Sequence, residues 1–383
     1  MTIKQIKAFK MDFALSETFS VSFETFTRVQ NVIVVVEAQD GTLGYSESAP
    51  LKPITGDSQQ DALRFLRHAS KMLAGKPVDP QTVHEHLTKL ERKTRMTSST
   101  AKAAIDMACY DIIGKREKKP IYKLLGASEP HLVPTSLTVG IKTPEETAQS
   151  VQQYMERFKR NGLRCIKLKI SGNSEEDLAR VSRVADVFPG EITLDANQGY
   201  KDPKAAAAIF KKMHETIGSR IILVEEPCPK GDLKKMKYVN DNSPIPIFAD
   251  ESVTTVDDAR KVVQQGCASG INIKLEKAGG IYYARKIAEL AAEKNLRLMV
   301  GCMLETYLAL AGSINFIAAT PSVLSADIDN DLLLVGVNTV REDPRASFIN
   351  GARVPTDKPG LGVELVDWLK ATADGRLVLR QVV

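Results

Sequence analysis

Hydrophobic and polar positions alternate along residues 3–15 and again along 32–49, the period of two that belongs to strands. Val32–Ala38 runs into Asp40-Gly41, so this second stretch is predicted to be a hairpin arm meeting its turn. The period then lengthens to helical spacing over 58–74, 80–93 and 98–115, and the last of these carries the apolar face Ala101, Ala104, Ile105, Ala108 and Ile112. Residues 1–125 are thus predicted to form an α+β domain.

From Leu132 the texture becomes a repeat. Apolar runs centred near 138, 168, 194, 223, 248, 273, 299 and 327 alternate with amphipathic stretches, a β/α step of ~27 residues. Helix starts carry caps at Thr143-Pro144-Glu145-Glu146, Ser174-Glu175-Glu176-Asp177, Asp202-Pro203 and Thr255-Val256-Asp257-Asp258. Eight such units favour a closed barrel, and no Gly-x-Gly-x-x-Gly follows any strand to suggest an open nucleotide-binding sheet. The barrel is predicted over 126–345. The tail, 346–383, holds Pro355, Pro359, Gly360 and Gly362 and is predicted as loops and short strands returning to the first domain.

Composition narrows the function classes. The net charge of +5 comes from 52 basic and 47 acidic residues without a basic tract or aromatic-basic interleaving, so nucleic acid is not an expected partner. No window of 18 apolar residues and no leader pattern is present, so no membrane association and a cytoplasmic location are expected. Five cysteines without paired short spacing indicate neither a disulfide framework nor a zinc site.

The chemistry-bearing residues fall at the predicted C-terminal strand ends, where such barrels place their sites. They are Lys167 and Lys169, Asp195 and Asn197, Glu225, Asp250, Lys274, then Asp327 and Asp329. Lys167 and Lys169, two apart, leave one face of their strand while Ile166, Leu168 and Ile170 leave the other. Three carboxylates on consecutive strand ends would repel unless a divalent cation lay between them, and an all-oxygen set suits Mg²⁺. Lys169 and Lys274 are expected on opposite sides of the barrel mouth, each able to remove or return an α-proton from its own face of a substrate carboxylate. A second cation, Lys167, and desolvation are expected to lower their pKa toward working pH. None of the five histidines, His68, His84, His86, His131 and His214, falls at a strand end, so a histidine base is not indicated.

These motifs give a resemblance to a known family. Ile54-Thr55-Gly56-Asp57-Ser58, Ile166-Lys167-Leu168-Lys169, Leu194-Asp195-Ala196-Asn197-Gln198-Gly199, Val224-Glu225-Glu226-Pro227, Ala249-Asp250-Glu251-Ser252, Ile271-Asn272-Ile273-Lys274-Leu275 and Lys358-Pro359-Gly360-Leu361-Gly362 resemble the muconate-lactonizing subgroup of the enolase superfamily, most closely its dipeptide epimerases. The resemblance implies an α/β fold, a (β/α)7β TIM-like barrel with an α+β N-terminal capping domain. It also implies Mg²⁺ on Asp195, Glu225 and Asp250, acid/base roles for Lys169 and Lys274, and a carboxylate-polarising role for Lys167. Position 226 is Glu where many epimerases have Gln, which leaves two candidate ligands side by side; Glu225 is taken as the ligand. The implied activity is 1,1-proton transfer at the C-terminal residue of an L,L-dipeptide by a homo-oligomer. The alternatives are an N-succinylamino acid racemase, an o-succinylbenzoate synthase, or a barrel that only binds a carboxylate.

Specificity is expected from Asp327 and Asp329, a pair suited to a substrate ammonium, and from Thr138, Met303 and the capping-domain loop. That loop, Ser16–Thr25, holds no arginine or lysine where Ala-Glu epimerases carry an arginine. Glu24 stands there instead, with Phe19 and Phe23 nearby. Glu24 facing the substrate would disfavour acidic C-terminal residues and leave basic or apolar ones, basic slightly favoured. Asp327, Asp329 and Asp331 share the opening spacing of a calcium loop, but Leu332 and Asn338 occupy the positions where that loop needs Gly and Glu.

Overall fold

The computed structural model describes residues 1–335 and 338–373. Strands β1 (Ile3–Ser20), β2 (Thr25–Ala38) and β3 (Leu43–Ser48) form an antiparallel sheet. β2 is apolar at consecutive positions because both its faces are covered. Val32, Val34 and Val36 pack with the helices of the cap, whereas Ile33 and Val35 join Phe9 in the core that continues into the barrel. Helix Ser99–Glu117 is enclosed in the same way. Ala101, Ala104, Ile105, Ala108 and Ile112 face the cap core as their spacing predicts, while Ala103, Met107 and Tyr110 face the barrel core.

The next eight strands are β4 (Ser136–Val139), β5 (Cys165–Lys169), β6 (Glu191–Asp195), β7 (Ile221–Glu225), β8 (Ile247–Ala249), β9 (Gly270–Ile273), β10 (Arg297–Gly301) and β11 (Val323–Asp327). They lie in chain order in one parallel sheet and contain all eight predicted centres. The sheet closes where Thr135 pairs in parallel with Ala326 and the Ile328 N–H donates to Thr135 Oγ1 at 3.0 Å. The fold is therefore the expected capped α/β barrel. After β11 the chain adds β12 (Leu334–Val335) to the capping sheet beside β1.

The predicted capping boxes form at Thr143/Glu146 and Thr255/Asp258, and Asp202 caps its helix. At the helix predicted to start on Ser174 the cap is Asn173 instead. Ser174 is already helical, and the Asn173 Oδ1 accepts from the Glu175 and Glu176 N–H groups. All five cysteines are buried thiols, and no helix of the described residues is long and apolar enough to cross a membrane.

The C-terminal segment makes two successive docks. Around β13 (Phe348–Ile349) and β14 (Ala352–Arg353) it lies on the barrel seam: Thr135 N–H donates to Gly351 O at 2.8 Å and Asn161 Nδ2 to Phe348 O at 2.7 Å. Only afterwards does it reach the cap helix, where Gly360 N–H donates to Lys119 O and Leu361 N–H to Asp111 Oδ1, both at 2.9 Å. Residues 374–383 of the predicted tail lie outside the described residues.

Cap and barrel are joined by a buried polar contact. His84 Nε2 lies 2.9 Å from Asp106 Oδ1, and Asp106 Oδ2 accepts the Ile281 N–H at 2.6 Å, so the carboxylate caps helix Ile281–Ala292 from across the interface. Asp106→Ala is expected to cost on the order of 2 kcal/mol, because it removes a cap and leaves buried donors unsatisfied. Urea unfolding measures this, and an unchanged midpoint would show that the contact contributes nothing.

Candidate active site

Strand register assembles the site. In the parallel ladder Lys169 pairs with Asp195 and Asp195 with Glu225, while Thr138 pairs with Lys167 on the other side, so their side chains leave neighbouring strands toward the barrel axis. Beneath them Leu223, Phe248 and Met299 fill the interior with apolar volume. Gly301 keeps the layer above open, because a Cβ there would stand 2.9 Å from Lys274 Cε and from the Asn272 amide.

Asp195, Glu225 and Asp250 are fully buried and bring ligand oxygens within 4.8 Å of one another. Glu225 Oε1 and Asp250 Oδ2 accept no aligned hydrogen bond. Both oxygens are nonetheless ion-paired, Glu225 Oε1 to Lys167 Nζ at 2.8 Å and Asp250 Oδ2 to Lys274 Nζ at 2.9 Å, contacts that lack hydrogen-bond alignment. Three buried anions with spare lone pairs fit a hard divalent cation such as Mg²⁺. The neighbour that made position 225 ambiguous points elsewhere: Glu226 accepts the Asp250 and Ser252 N–H groups at 2.7 and 3.1 Å and the Ser252 hydroxyl at 2.5 Å. It holds the loop after β8 and stands outside the cluster.

The lysines are threaded among these carboxylates. Lys167 Nζ lies 2.5 Å from Asp327, 2.8 Å from Glu225 and 3.1 Å from Asp195, and Lys169 Nζ is 2.6 Å from Asp195. Burial acts to lower the Lys167 pKa, but the surrounding carboxylates outweigh it and hold the ammonium well above its ordinary value. The same balance corrects the expected depression at Lys274. Desolvation lowers its pKa, the Asp250 charge beside it raises it by more, and Lys274 stays above the ordinary lysine range.

Asp327 and Asp329 sit at the seam. Thr138 Oγ1 donates to Asp327 Oδ1 at 2.9 Å and also reaches Asp329 Oδ1 at 3.2 Å, while the Thr138 N–H donates to Asp329 Oδ2 at 2.6 Å. Burial and the adjacent Asp327 charge push the Asp329 carboxyl up to about 7. A small cavity is lined by Lys169, Lys274, Asp327, Thr138, Asn197, Asn330, Cys302 and Met303, with Phe19, Val21, Phe26, Leu51, Ile54 and Leu304 as apolar wall; Asp329 is not among its lining residues. The β1–β2 hairpin is held over this mouth by the Ile141 N–H to Ser20 O bond at 3.1 Å, the Lys142–Glu17 ion pair at 2.6 Å and the Ser22 hydroxyl on Asn197 O.

Phe19 thus faces the site, 6.0 Å from Lys169 Nζ, but Glu24 does not. Its backbone carbonyl closes the turn with the Val21 N–H at 3.0 Å, its side chain is exposed, and Phe23 is 41% exposed. Glu24 is not among the residues that line this cavity, and its side chain is exposed at the hairpin turn.

Several buried polar groups escaped the sequence reading. Lys277 donates to the Asp250 carboxylate and carbonyl, and Asn272 Nδ2 donates to Glu225 Oε2 at 2.7 Å, whereas Asn197, already expected at its strand end, donates to Glu251 Oε1 at 3.0 Å. Asn272 was findable, because it lies two residues before Lys274 and shares its face. Glu305, buried after β10, was also findable as the polar residue following the seventh strand.

A closed barrel with lysines and carboxylates at its strand ends, under an N-terminal cap, defines a class, and similarity to known proteins agrees. Residues 5–126 match the mandelate racemase / muconate lactonizing enzyme N-terminal domain, and residues 149–368 the enolase C-terminal domain-like family. The chain belongs to this enolase-superfamily group. It is 33% identical over 333 residues to the hydrophobic dipeptide epimerase of Enterococcus faecalis, covering 86% of this chain and 90% of that one. It is 31% identical over 367 residues to the L-Ala-D/L-Glu epimerase of Clostridium acetobutylicum, covering 95% and 99%. The crystal structure of the dipeptide epimerase from Enterococcus faecalis V583, complexed with Mg and the dipeptide L-Leu-L-Tyr, superposes with a TM-score of 0.87 at 31% identity over 95% of this chain and 100% of that one. Within its family the chain is an isomerase of the racemase and epimerase kind.

Proposed function

We propose that the chain is a Mg²⁺-dependent dipeptide epimerase that inverts the α-carbon of the C-terminal residue, with an apolar side chain preferred there. The observation that carries this reading is one cavity lined by two lysines from opposite sides of the barrel, each against a different carboxylate of the Asp195–Glu225–Asp250 cluster. Asp195, Glu225 and Asp250 would hold the ion. When bound, Mg²⁺ supplies positive charge that favours negative charge on the substrate carboxylate.

The chain's own residues do the rest. One of Lys169 and Lys274, as the free amine, takes the α-proton from its face, and the other, as the ammonium, returns a proton to the opposite face. The α-carbon is inverted and the two lysines exchange protonation states. Lys167, kept charged by three carboxylates, is a fixed cation beside the substrate carboxylate rather than a base. Asp327, which lines the cavity, supplies negative charge for the ammonium of the N-terminal residue, and Asp329 stands behind it on the shared Thr138. The hairpin and the apolar wall exclude water, which strengthens each of these interactions.

The wall also supports the substrate class. Two relatives of nearly equal identity are named for different dipeptides, so identity does not choose between them. In this cavity Phe19, Val21, Phe26 and Ile54 offer no cation to a substrate carboxylate, and Glu24 is turned away. An apolar C-terminal side chain gains burial there, whereas an acidic one is desolvated without a partner. L-Ala-L-Phe is expected to exceed L-Ala-L-Glu in kcat/KM by at least about tenfold, with L-Ala-L-Lys between them. A preference for the Glu dipeptide would overturn the apolar assignment, and faster turnover of an N-succinylamino acid than of any dipeptide would move the chain to the racemases.

A further inference from the structure

One buried carboxylate directly beyond the Asp327–Asp329 pair has no place in the proposed chemistry. Asp331, in the short turn Asn330–Leu333, meets Arg353 on β14 with Oδ1 2.5 Å from the guanidinium, and the two side chains are 2% and 0% exposed. The other terminal nitrogen of Arg353 donates to Pro344 O and Ser347 Oγ at 2.5 and 2.9 Å, and the guanidinium carbon lies 5.8 Å from the ring centres of Tyr307 and Phe348. The fork is therefore locked to a segment that is itself fastened to the barrel through Thr135 and Asn161. Neither Arg353 nor Asp331 lines the cavity.

A buried ion pair gives little net stability, because desolvating both charges offsets their attraction. What a planar guanidinium held on several sides does supply is a fixed geometry for its carboxylate. The loop carrying Asp327 and Asp329 needs such a fix. Its anchors on the barrel are Lys167 for Asp327 at 2.5 Å, Thr138 for both aspartates, Thr135 for the Ile328 N–H, and Met303 O, which accepts from Asn330 Nδ2 at 3.1 Å, and all of them lie on the N-terminal side of Asp331 or on the barrel face of the loop. Arg353 restrains the same loop from outside the barrel, through its last acidic residue.

We infer that Arg353 is a positioning residue for recognition of the substrate ammonium, setting the Asp327–Asp329 loop through Asp331. The inference rests on the dipeptide reading above. Steady-state epimerisation of L-Ala-L-Phe by Arg353→Met is expected to show KM raised about 10- to 100-fold with kcat changed less than about threefold, the range typical when a supporting contact rather than a reacting group is lost. Mg²⁺ affinity, read by calorimetry, is expected to be unchanged.

Arg353→Met leaves Asp331 buried without its partner and can unfold the segment, so the paired variant Arg353→Met/Asp331→Leu is measured beside it. Removing both charges is expected to restore the thermal midpoint while KM stays high. Wild-type KM in the folded paired variant would overturn the inference, as would a loss confined to kcat or to Mg²⁺ affinity. A wild-type enzyme that epimerises no dipeptide would overturn the functional reading itself, and the inference with it; activity with unchanged KM removes the role of Arg353 alone.

Discussion

Lys169→Ala and Lys274→Ala are each expected to lower epimerisation by about 10²- to 10⁴-fold, the range for losing a positioned acid or base. The two lysines reach the cavity from β5 and from the end of β9, so in the proposed mechanism each would serve one stereochemical face and neither would substitute for the other. One variant is expected to keep a diagnostic residue of activity: exchange of the α-proton of a single stereoisomer with D₂O, followed by NMR, without inversion. Both side chains are buried against the carboxylates of Asp195 and Asp250, so circular dichroism must accompany the kinetics to show that the fold is intact. Full activity in either variant would refute the two-base scheme.

Asp250→Asn is expected to weaken Mg²⁺ binding and turnover together, each by at least about a hundredfold. The substitution removes one of three clustered charges, and it also leaves Lys274 and Lys277 without the carboxylate that both now contact. Calorimetric titration of the purified variant with MgCl₂ reads the first effect and steady-state kinetics the second. Unchanged Mg²⁺ affinity would mean that the ligands are wrongly assigned. An affinity that falls while kcat at saturating Mg²⁺ stays intact would separate binding from chemistry at this position.

Much of the site was legible because barrel geometry turns sequence spacing into position. Each strand delivers its last inward residue to the same rim, so Lys169, Asp195 and Glu225 could be placed together from the repeat alone, and the register confirms their adjacency. The same period of two would have pointed to Asn272, two positions before Lys274, which the sequence reading passed over. The protonation of Lys274 was not legible in this way. Two opposed effects of burial and charge act on it, and which one wins depends on a 2.9 Å contact with Asp250 across 24 positions of sequence.

The chain's own pattern determined the eight β/α units, the cap helices and the identity of the residues at the barrel rim, because strand and helix periods arise from backbone geometry within a few residues. Tertiary structure alone decided the rest. It turned Glu24 to solvent through a hairpin turn, left Glu226 to bind backbone N–H groups while Glu225 joined the cluster, and brought Arg353 to Asp331 across 22 positions. These outcomes depend on which side chains pack against which across the closed barrel and its cap. Local spacing carries no constraint on such long-range pairings, whose energies are settled only when burial removes water from both partners.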